Sequence, residues 1–246
     1  AFDGTGYGSD GTIWGGEFLL CTPTTFERFG HLKSISLMGG DRAMREGFKC
    51  AYAYLYHAGL EAEIKDDRFA LIKAALEHHI QTVQSSSMGR LFDAVSAMLN
   101  ISHTSRNEGE AAILLENQAS SFAEQMTMSV EAYTFIIEPS HTINVFPMLH
   151  EMVQDMKSTV AIPLIAYRFH LTVVQMIVTM CMKMKDAFGI KDVALSGGVF
   201  QNTLLMTLSV EALRDNDFTV HYNCQVPCND GGIALGQAYY ANFRKD

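Results

Sequence analysis

The last quarter of the chain most narrows what it can fold into. Three apolar residues, Val193 to Leu195, run into Ser196-Gly197-Gly198, and a helical pattern opens at Asn202 and continues to Arg214. Phe218 to Tyr222 reads as a strand, Asn229-Asp230-Gly231-Gly232 as a loop, and Ile233 to Phe243 as a helix. Short apolar runs bounded by turn residues and alternating with helical patterns predict a β-loop-α-β-loop-α unit, hence an α/β fold. In such units ligands sit beyond the carboxyl ends of the strands, where both glycine loops fall. The opening segment has the same character. Ala1 to Cys21 reads as a strand stub, a glycine loop at DGTGYG, and a β-ribbon bent or bulged at Gly15-Gly16. Three such loops are expected to meet at one crevice.

The middle of the chain is mostly helical in pattern. Leu32 to Met38 alternates as a half-buried strand does, and Asp41 stands where a helix N-cap belongs, ahead of a helical run from Arg42 to Leu60. Helical spacing recurs over Phe69–Val83, after the serines of SSSMGRLFDAVSAMLN, in EGEAAILLENQASSFAEQM, over Val145–Met156 and over Ile162–Phe188, with a short strand near Tyr133–Ile137. No Pro- or Gly-rich linker divides the chain, so one compact unit is expected, with a helical insertion at roughly 107–160. The run from Ile162 to Met182 is apolar enough to raise a membrane span. It is interrupted by Pro163, Arg168, His170 and Gln175, and reads as a buried helix.

Composition excludes several classes. At 246 residues, 48% hydrophobic and 18% charged, the chain can bury a large core and is globular. A net charge of −9 argues against nonspecific nucleic-acid or anionic-membrane binding, because phosphate attraction needs clustered Lys and Arg. Five scattered cysteines suit a reducing, cytoplasmic setting better than a disulfide framework. Cys224 and Cys228 form one CxxxC without the second ligand pair that a zinc site requires. The chain opens at AFDGTGYG in mid-motif, as though a strand had been cut, and is expected to be a fragment of a longer protein.

Glycine lets a backbone N–H approach an oxyanion with no Cβ in the way, and a helix starting just beyond adds the positive end of its dipole. Phosphate is the usual ligand of such corners. Neither the dinucleotide GxGxxG context nor the GxxxxGK[ST] loop is present. Asp3 and Asp230 each close a strand beside glycine. Paired carboxylates near phosphate commonly hold a divalent metal. An equal alternative is that each Asp caps its own loop through side-chain-to-backbone bonds.

Six ordered stretches, AFDGTGYGSDGTIWGGEF, LMGGDRAMRE, SSSMGRLFDAV, EGEAAILLE, ALSGGVFQN and VPCNDGGIALGQA, resemble the second half of the carbamoyltransferase domain of the HypF family of [NiFe]-hydrogenase maturation. The resemblance covers nearly the whole chain and is weakest between about Gln118 and Lys191. It implies the actin-like and sugar-kinase-like ATPase fold shared with the TsaD family: a mixed sheet flanked by helices. It implies a carbamoyltransferase that uses carbamoyl phosphate and ATP, holds carbamoyl-adenylate, and passes the carbamoyl group to the C-terminal Cys thiolate of a HypE-type partner for cyanide-ligand synthesis. No nucleic-acid or membrane partner is implied. Gly4, Thr5 and Gly6 match a phosphate loop. Gly89 and Asp93 match nucleotide positions, Asp93 on the ribose hydroxyls. Ser196, Gly197, Gly198 and Asn202 match the adenosine and phosphate loop, with the Asn202 amide reaching the nucleotide. Gly231 belongs with them, and Asp41 and Arg42 are candidates for the same pocket. Asp3 and Asp230 match ligands of a divalent metal (Mg, Fe or Zn) whose other family ligands are histidines upstream of Ala1. Without those histidines, metal affinity is expected to fall, and the fragment alone is not expected to complete the reaction from carbamoyl phosphate. Missing first-subdomain strands would also leave an open sheet edge. The nucleophile belongs to the partner, so no Cys of this chain is assigned a catalytic role.

Two rival classes remain. One is another enzyme on the same fold, a TsaD-like tRNA threonylcarbamoyltransferase or a small-molecule O-carbamoyltransferase. The other is a nucleotide-binding or partner-docking module with no turnover of its own.

Overall fold

The computed structural model describes residues 1–39, 45–126 and 129–243. Asp41 and Arg42 lie outside the described residues. The chain opens with an antiparallel hairpin of β1 (Phe2–Tyr7) and β2 (Ile13–Cys21). β3 (Phe26–Leu32) and β4 (Ile35–Met38) follow, then α1 (Gly47–His57), α2 (Phe69–Glu77), β5 (Thr82–Ser85), α3 (Met88–Met98) and α4 (Glu110–Ala123). Next come β6 (Ile136–Ile137), β7 (Thr142–Asn144), α5 (Phe146–Lys157) and α6 (Ile162–Phe188). The tail is β8 (Asp192–Leu195), α7 (Thr203–Asp215), β9 (Thr219–Tyr222) and α8 (Ile233–Phe243), the β-loop-α-β-loop-α order that the sequence predicts.

The strands form a seven-stranded mixed sheet in the order β4-β5-β2-β3-β7-β6, with β1 also on β2, and a separate parallel pair β8-β9. Within the large sheet, β2 runs parallel to β5 and β3 parallel to β7; the other pairs are antiparallel. Helices flank this mixed sheet. α1 packs on α3 and α4 on α6. Deeply buried large side chains of these helices and α5, among them Tyr54, Phe92, Phe169, Leu115 and Met148, share one core with Phe2, Leu32 and Ile143 of the strands. α6 is long and apolar enough to cross a membrane by length and composition, but two-thirds of its most apolar window is buried inside the protein. It is a core helix. Pro163 stands in its first turn, where a missing N–H costs nothing, and Gly189 ends it in the left-handed conformation.

Local readings differ from the structure at three places. DGTGYG is not a loop: Asp3 to Gly6 lies within β1, where the pairing register shifts between Phe2 and Gly6. The bulge supplies the irregularity that the glycines announce. The helix expected over Phe69–Val83 ends at Glu77, and Thr82–Ser85 forms β5, a strand too short and polar to show its period. The region expected as a helical insertion, 107–160, holds strands as well as helices, and β7 pairs with β3 in the main sheet.

Candidate functional site

Each corner of the site is set by its own sequence. Ser87 is the N-cap of α3; its Oγ accepts the Arg90 N–H at 3.1 Å, the short-range bond that Ser at this position provides. The same hydroxyl lies 2.9 Å from the Asp3 carbonyl and 2.7 Å from that of Gly4, donating to one at a time. One side chain thus starts a helix and ties that start to β1.

The glycines explain how close these pieces come. A Cβ on Gly89 would lie 2.7 Å from the Gly4 Cα, inside any tolerable contact. A Cβ on Gly197 would lie 2.1 Å from the Phe2 carbonyl oxygen, and Gly197 has φ +105°, a region that side-chain-bearing residues avoid. Two backbone bonds hold this crossing: Phe2 N–H donates to Ser196 O at 2.8 Å, and Gly197 N–H to Cys228 O at 2.9 Å. A Cβ on Gly198 would come 3.1 Å from Asp3 Oδ1 and 3.7 Å from the Asn229 Cβ. The bulge of β1, the start of α3, the turn after β8 and the Asn229 turn therefore meet in one corner. The side-chain-poor corners predicted from sequence do converge, and their glycines serve first to let these backbones touch one another.

Around this corner the expected residues divide. Asp3, Gly4, Gly89, Gly197 and Gly198 are brought together. Ser196 joins through its carbonyl, its side chain exposed. Thr5 and Gly6 lie further along β1, Thr5 exposed and Gly6 opposite Trp14 in the hairpin. Asp3 Oδ1 accepts the Gly4 N–H at 2.7 Å. Asn229, not Asp230, caps the short 3-10 turn Asp230–Gly232, accepting the Gly231 N–H at 3.1 Å; Asp230 is exposed. Among the described residues no three His, Cys, Asp or Glu side chains gather as a metal site. Two carboxylates, one already engaged by its own loop, do not make a complete coordination shell.

Asn202 has a different role from the one expected. Its Oδ1 accepts the Leu205 N–H at 2.8 Å as the α7 N-cap, and its amide nitrogen lies 2.9 Å from Nε2 of the buried His170. Both ends of the side chain are engaged inside the protein, because capping and the buried ring compete for the amide that was to reach outward.

Asp93 is buried one turn beyond Gly89, with Arg90 Nη1 3.0 Å from its Oδ2. Burial raises the Asp93 pKa, and the Arg90 charge opposes the rise. Oδ2 has no hydrogen-bond donor among the described residues, so the contact with Arg90 is one of charge. Arg90 also faces Gly4, whose Cβ position lies 3.2 Å from Nη2. Ser87 was legible only as a helix cap and Arg90 was not singled out; the i,i+3 Arg-Asp pair was the available signal for it. A second missed element is the buried carboxylate of Glu17. It accepts from Arg28 Nε at 2.5 Å, from Ser86 Oγ at 2.5 Å and from the Gly15 N–H of its own strand at 3.2 Å, so three segments close around one charge.

The family model for the second subdomain of the Kae1-like carbamoyltransferase domain matches residues 1–237. Carbamoyltransferase HypF2 of Cupriavidus necator is 33% identical over 98% of this chain, which corresponds to 33% of that relative. Among solved structures, a full-length HypF in its phosphate- and nucleotide-bound form superposes with a TM-score of 0.89 at 36% identity, covering 98% of this chain and 38% of that one. HypF of T. kodakarensis superposes at 0.83 with 28% identity, covering 97% of this chain and 32% of that one. The chain thus spans about a third of the length of these three relatives. It belongs to the HypF carbamoyltransferase family, in which it corresponds to the second subdomain of the Kae1-like domain.

Proposed function

We propose that this chain forms the nucleotide-holding part of a carbamoyltransferase, presenting carbamoyl-adenylate to the C-terminal Cys of a HypE-type protein. The observation that carries the reading is the meeting of Asp3-Gly4, Ser87–Gly89, Gly197-Gly198 and Asn229 in one corner at the N-terminus of α3. A side-chain-poor corner at a helix start favours a phosphate group, and the relative solved with phosphate and nucleotide bound supports the same ligand class. Asp93, buried beside Arg90, is the acceptor we assign to the ribose hydroxyls.

The transfer balances simply. The partner's thiolate attacks the carbamoyl carbon, a C–S bond forms, the C–O bond to the phosphate breaks, and AMP leaves with the charge the thiolate brought. Negative charge builds on the carbamoyl oxygen during attack, and aimed N–H donors or a cation stabilise it. This chain needs no thiol of its own. Its buried cysteines suit that division: burial raises the Cys181 thiol to about 11 and the Cys50 thiol to about 12, the wrong direction for a nucleophile. ATP, carbamoyl phosphate and a divalent metal are the small-molecule partners of the complete protein in this reading, with the cytoplasm as its setting.

Titration of the 246-residue chain with ATP and with AMP is the direct test, with and without divalent metal. Saturable binding is expected, weakened at least about tenfold in Gly198→Val and in Asp93→Ala, equivalent to about 1.4 kcal/mol. Wild-type affinity in both variants overturns the pocket. Supplying carbamoyl-adenylate and a Cys-terminated peptide separates a transferase from a module that only binds nucleotide. The second reading is favoured by one observation, the lack of a three-ligand metal group among the described residues.

A further inference from the structure

Three polar side chains border the empty side of Gly198 in the glycine corner. The place that a Cβ would take there lies 3.1 Å from Asp3 Oδ1, 3.7 Å from the Asn229 Cβ and 3.9 Å from Gln201 Oε1. Two of the three are already engaged in their own loops: Asp3 Oδ1 accepts the Gly4 N–H at 2.7 Å, and Asn229 Oδ1 accepts the Gly231 N–H at 3.1 Å. Gln201 is exposed, and its carboxamide makes no hydrogen bond among the described residues. Gly198 also lacks the positive φ of Gly197, so what it contributes is space rather than a special backbone conformation.

The backbone holds Gln201 in place. It ends the 3-10 turn Gly198–Gln201, in which Phe200 N–H donates to Gly197 O and Asn202 N–H to Val199 O, both at 3.1 Å. Both chain neighbours are buried: Phe200 stacks on Phe2 at 5.4 Å, and Asn202 is fixed between the start of α7 and His170. Side chains at i and i+3 eclipse in a 3-10 turn, so Gln201 stands over Gly198 and its missing side chain. A small polar group fits between the Gln201 carboxamide and Asp3.

We infer that Gln201 is the residue that recognises the carbamoyl group, amide against amide: its Oε1 accepts a carbamoyl N–H, and its Nε2 donates to the carbamoyl oxygen. The inference rests on the nucleotide reading above, which sets the phosphate of the adenylate at this same corner. A primary carboxamide carries a donor and an acceptor side by side, and a carbamoyl group presents the matching pair. When the partner's thiolate attacks, negative charge grows on the oxygen that faces Nε2. The donor stabilises that charge with no proton transferred, and the charge leaves with AMP as the C–O bond breaks. An acetyl group of the same size has a methyl in place of the NH2, and leaves Oε1 without its partner. Gln201 therefore sets the preference for carbamoyl over acyl groups of equal size.

The test titrates the 246-residue chain with AMP and with two stable analogues, of carbamoyl-adenylate and of acetyl-adenylate, in which a sulfamate replaces the phosphate. The two analogues differ only in NH2 against CH3. The wild type is expected to prefer the carbamoyl analogue by at least about tenfold. Gln201→Met keeps the side-chain length and removes both polar atoms. It should bring the two analogues within about twofold of each other, with AMP affinity within about twofold of wild type and an unchanged melting temperature, because Gln201 is exposed. A wild type that binds AMP without distinguishing the analogues, or a Met variant that still distinguishes them, overturns the role of Gln201 and leaves the nucleotide reading standing. Loss of AMP affinity in step with that for the carbamoyl analogue also overturns it, by making Gln201 a contact to the nucleotide itself. A wild type that binds none of the three ligands overturns both readings.

Discussion

The glycine corner and α8 are opposite solutions to placing glycine in a fold. At the corner, Gly89, Gly197 and Gly198 stand where a side chain would strike backbone or the Asp3 carboxylate. In α8, a Cβ on Gly236 would meet nothing within 4 Å. The corner is closed by bonds from Ser87, Ser196 and Cys228, whereas α8 buries none of its residues and leaves Leu235 57% and Tyr239 58% exposed. Glycine spacing in a sequence cannot separate these cases. What does is whether another segment arrives, and that is decided by residues far away in the chain.

The largest effect expected from this contrast is at Gly197. Gly197→Val places a branched side chain 2.1 Å from the Phe2 carbonyl at a φ of +105°, so β1 and the turn after β8 cannot both keep their places. A loss above about 4 kcal/mol is expected in urea unfolding, if the variant folds at all. A loss below about 1 kcal/mol would mean that the crossing is much looser than drawn.

Next in size is the buried charge that holds the hairpin to the start of α3. Arg28→Ala leaves the Glu17 carboxyl, 3% exposed, without its main partner, and also removes the guanidinium 4.2 Å from the Trp14 ring. Breaking such a pair from one side costs about 3–5 kcal/mol. Adding Glu17→Gln should recover part of that loss, and strict additivity in the double variant would show that the two side chains are not coupled.

His170 predicts an acid limb of stability. The ring is fully buried; Nδ1 donates to the Ala166 carbonyl at 2.8 Å, and Nε2 accepts from the Asn202 amide. Burial lowers its pKa from 6.5 to about 4, with the Ala166 carbonyl and Glu116 pulling weakly the other way. The folded protein thus binds this proton less readily than the unfolded chain. Its penalty is absent above pH 6.5 and grows as pH falls to about 4, reaching about 3 kcal/mol. His170→Gln should flatten the pH dependence of the unfolding midpoint in that window; an unchanged slope would place the acid sensitivity elsewhere.

Asp93 should separate function from stability. Its burial disfavours the ionised form, so Asp93→Asn is expected to leave the melting temperature unchanged or higher while nucleotide affinity falls about tenfold. Loss of both together would make Asp93 a structural residue.

The tail was legible in the sequence because β8, α7, β9 and α8 each carry their own period and their own turn residues. Ser87 as a cap was legible for the same local reason. Asn202 showed its place at the start of a helix but not the buried His170 that claims its amide, since that contact joins residues 32 apart. β5 was hidden because Thr82–Ser85 borrows its strand character from β4 and β2. The meeting of Gly4 with Gly89 and of Phe2 with Gly197 could be expected only through the α/β rule that places loops together at strand ends. The Glu17–Arg28–Ser86 network carried no motif at all. Local chemistry writes elements and caps; long-range pairing decides which glycines are locked and which carboxylates are buried.

The smallest effect returns to α8. Gly236→Ala fills open space in a helix interior, so the usual preference for Ala over Gly should act almost undiminished, stabilising by about 0.5–1 kcal/mol. Leu235→Ser should change the stability of this chain by less than about 0.5 kcal/mol, because no packed neighbour is lost. Apolar exposure along a helix that buries nothing is the mark of a surface suited to a partner, and isolated unfolding measurements read only the helix's own propensity. Should Leu235→Ser cost more than about 2 kcal/mol, α8 must pack on the body in solution, and the distinction between a closed corner and an open tail would disappear.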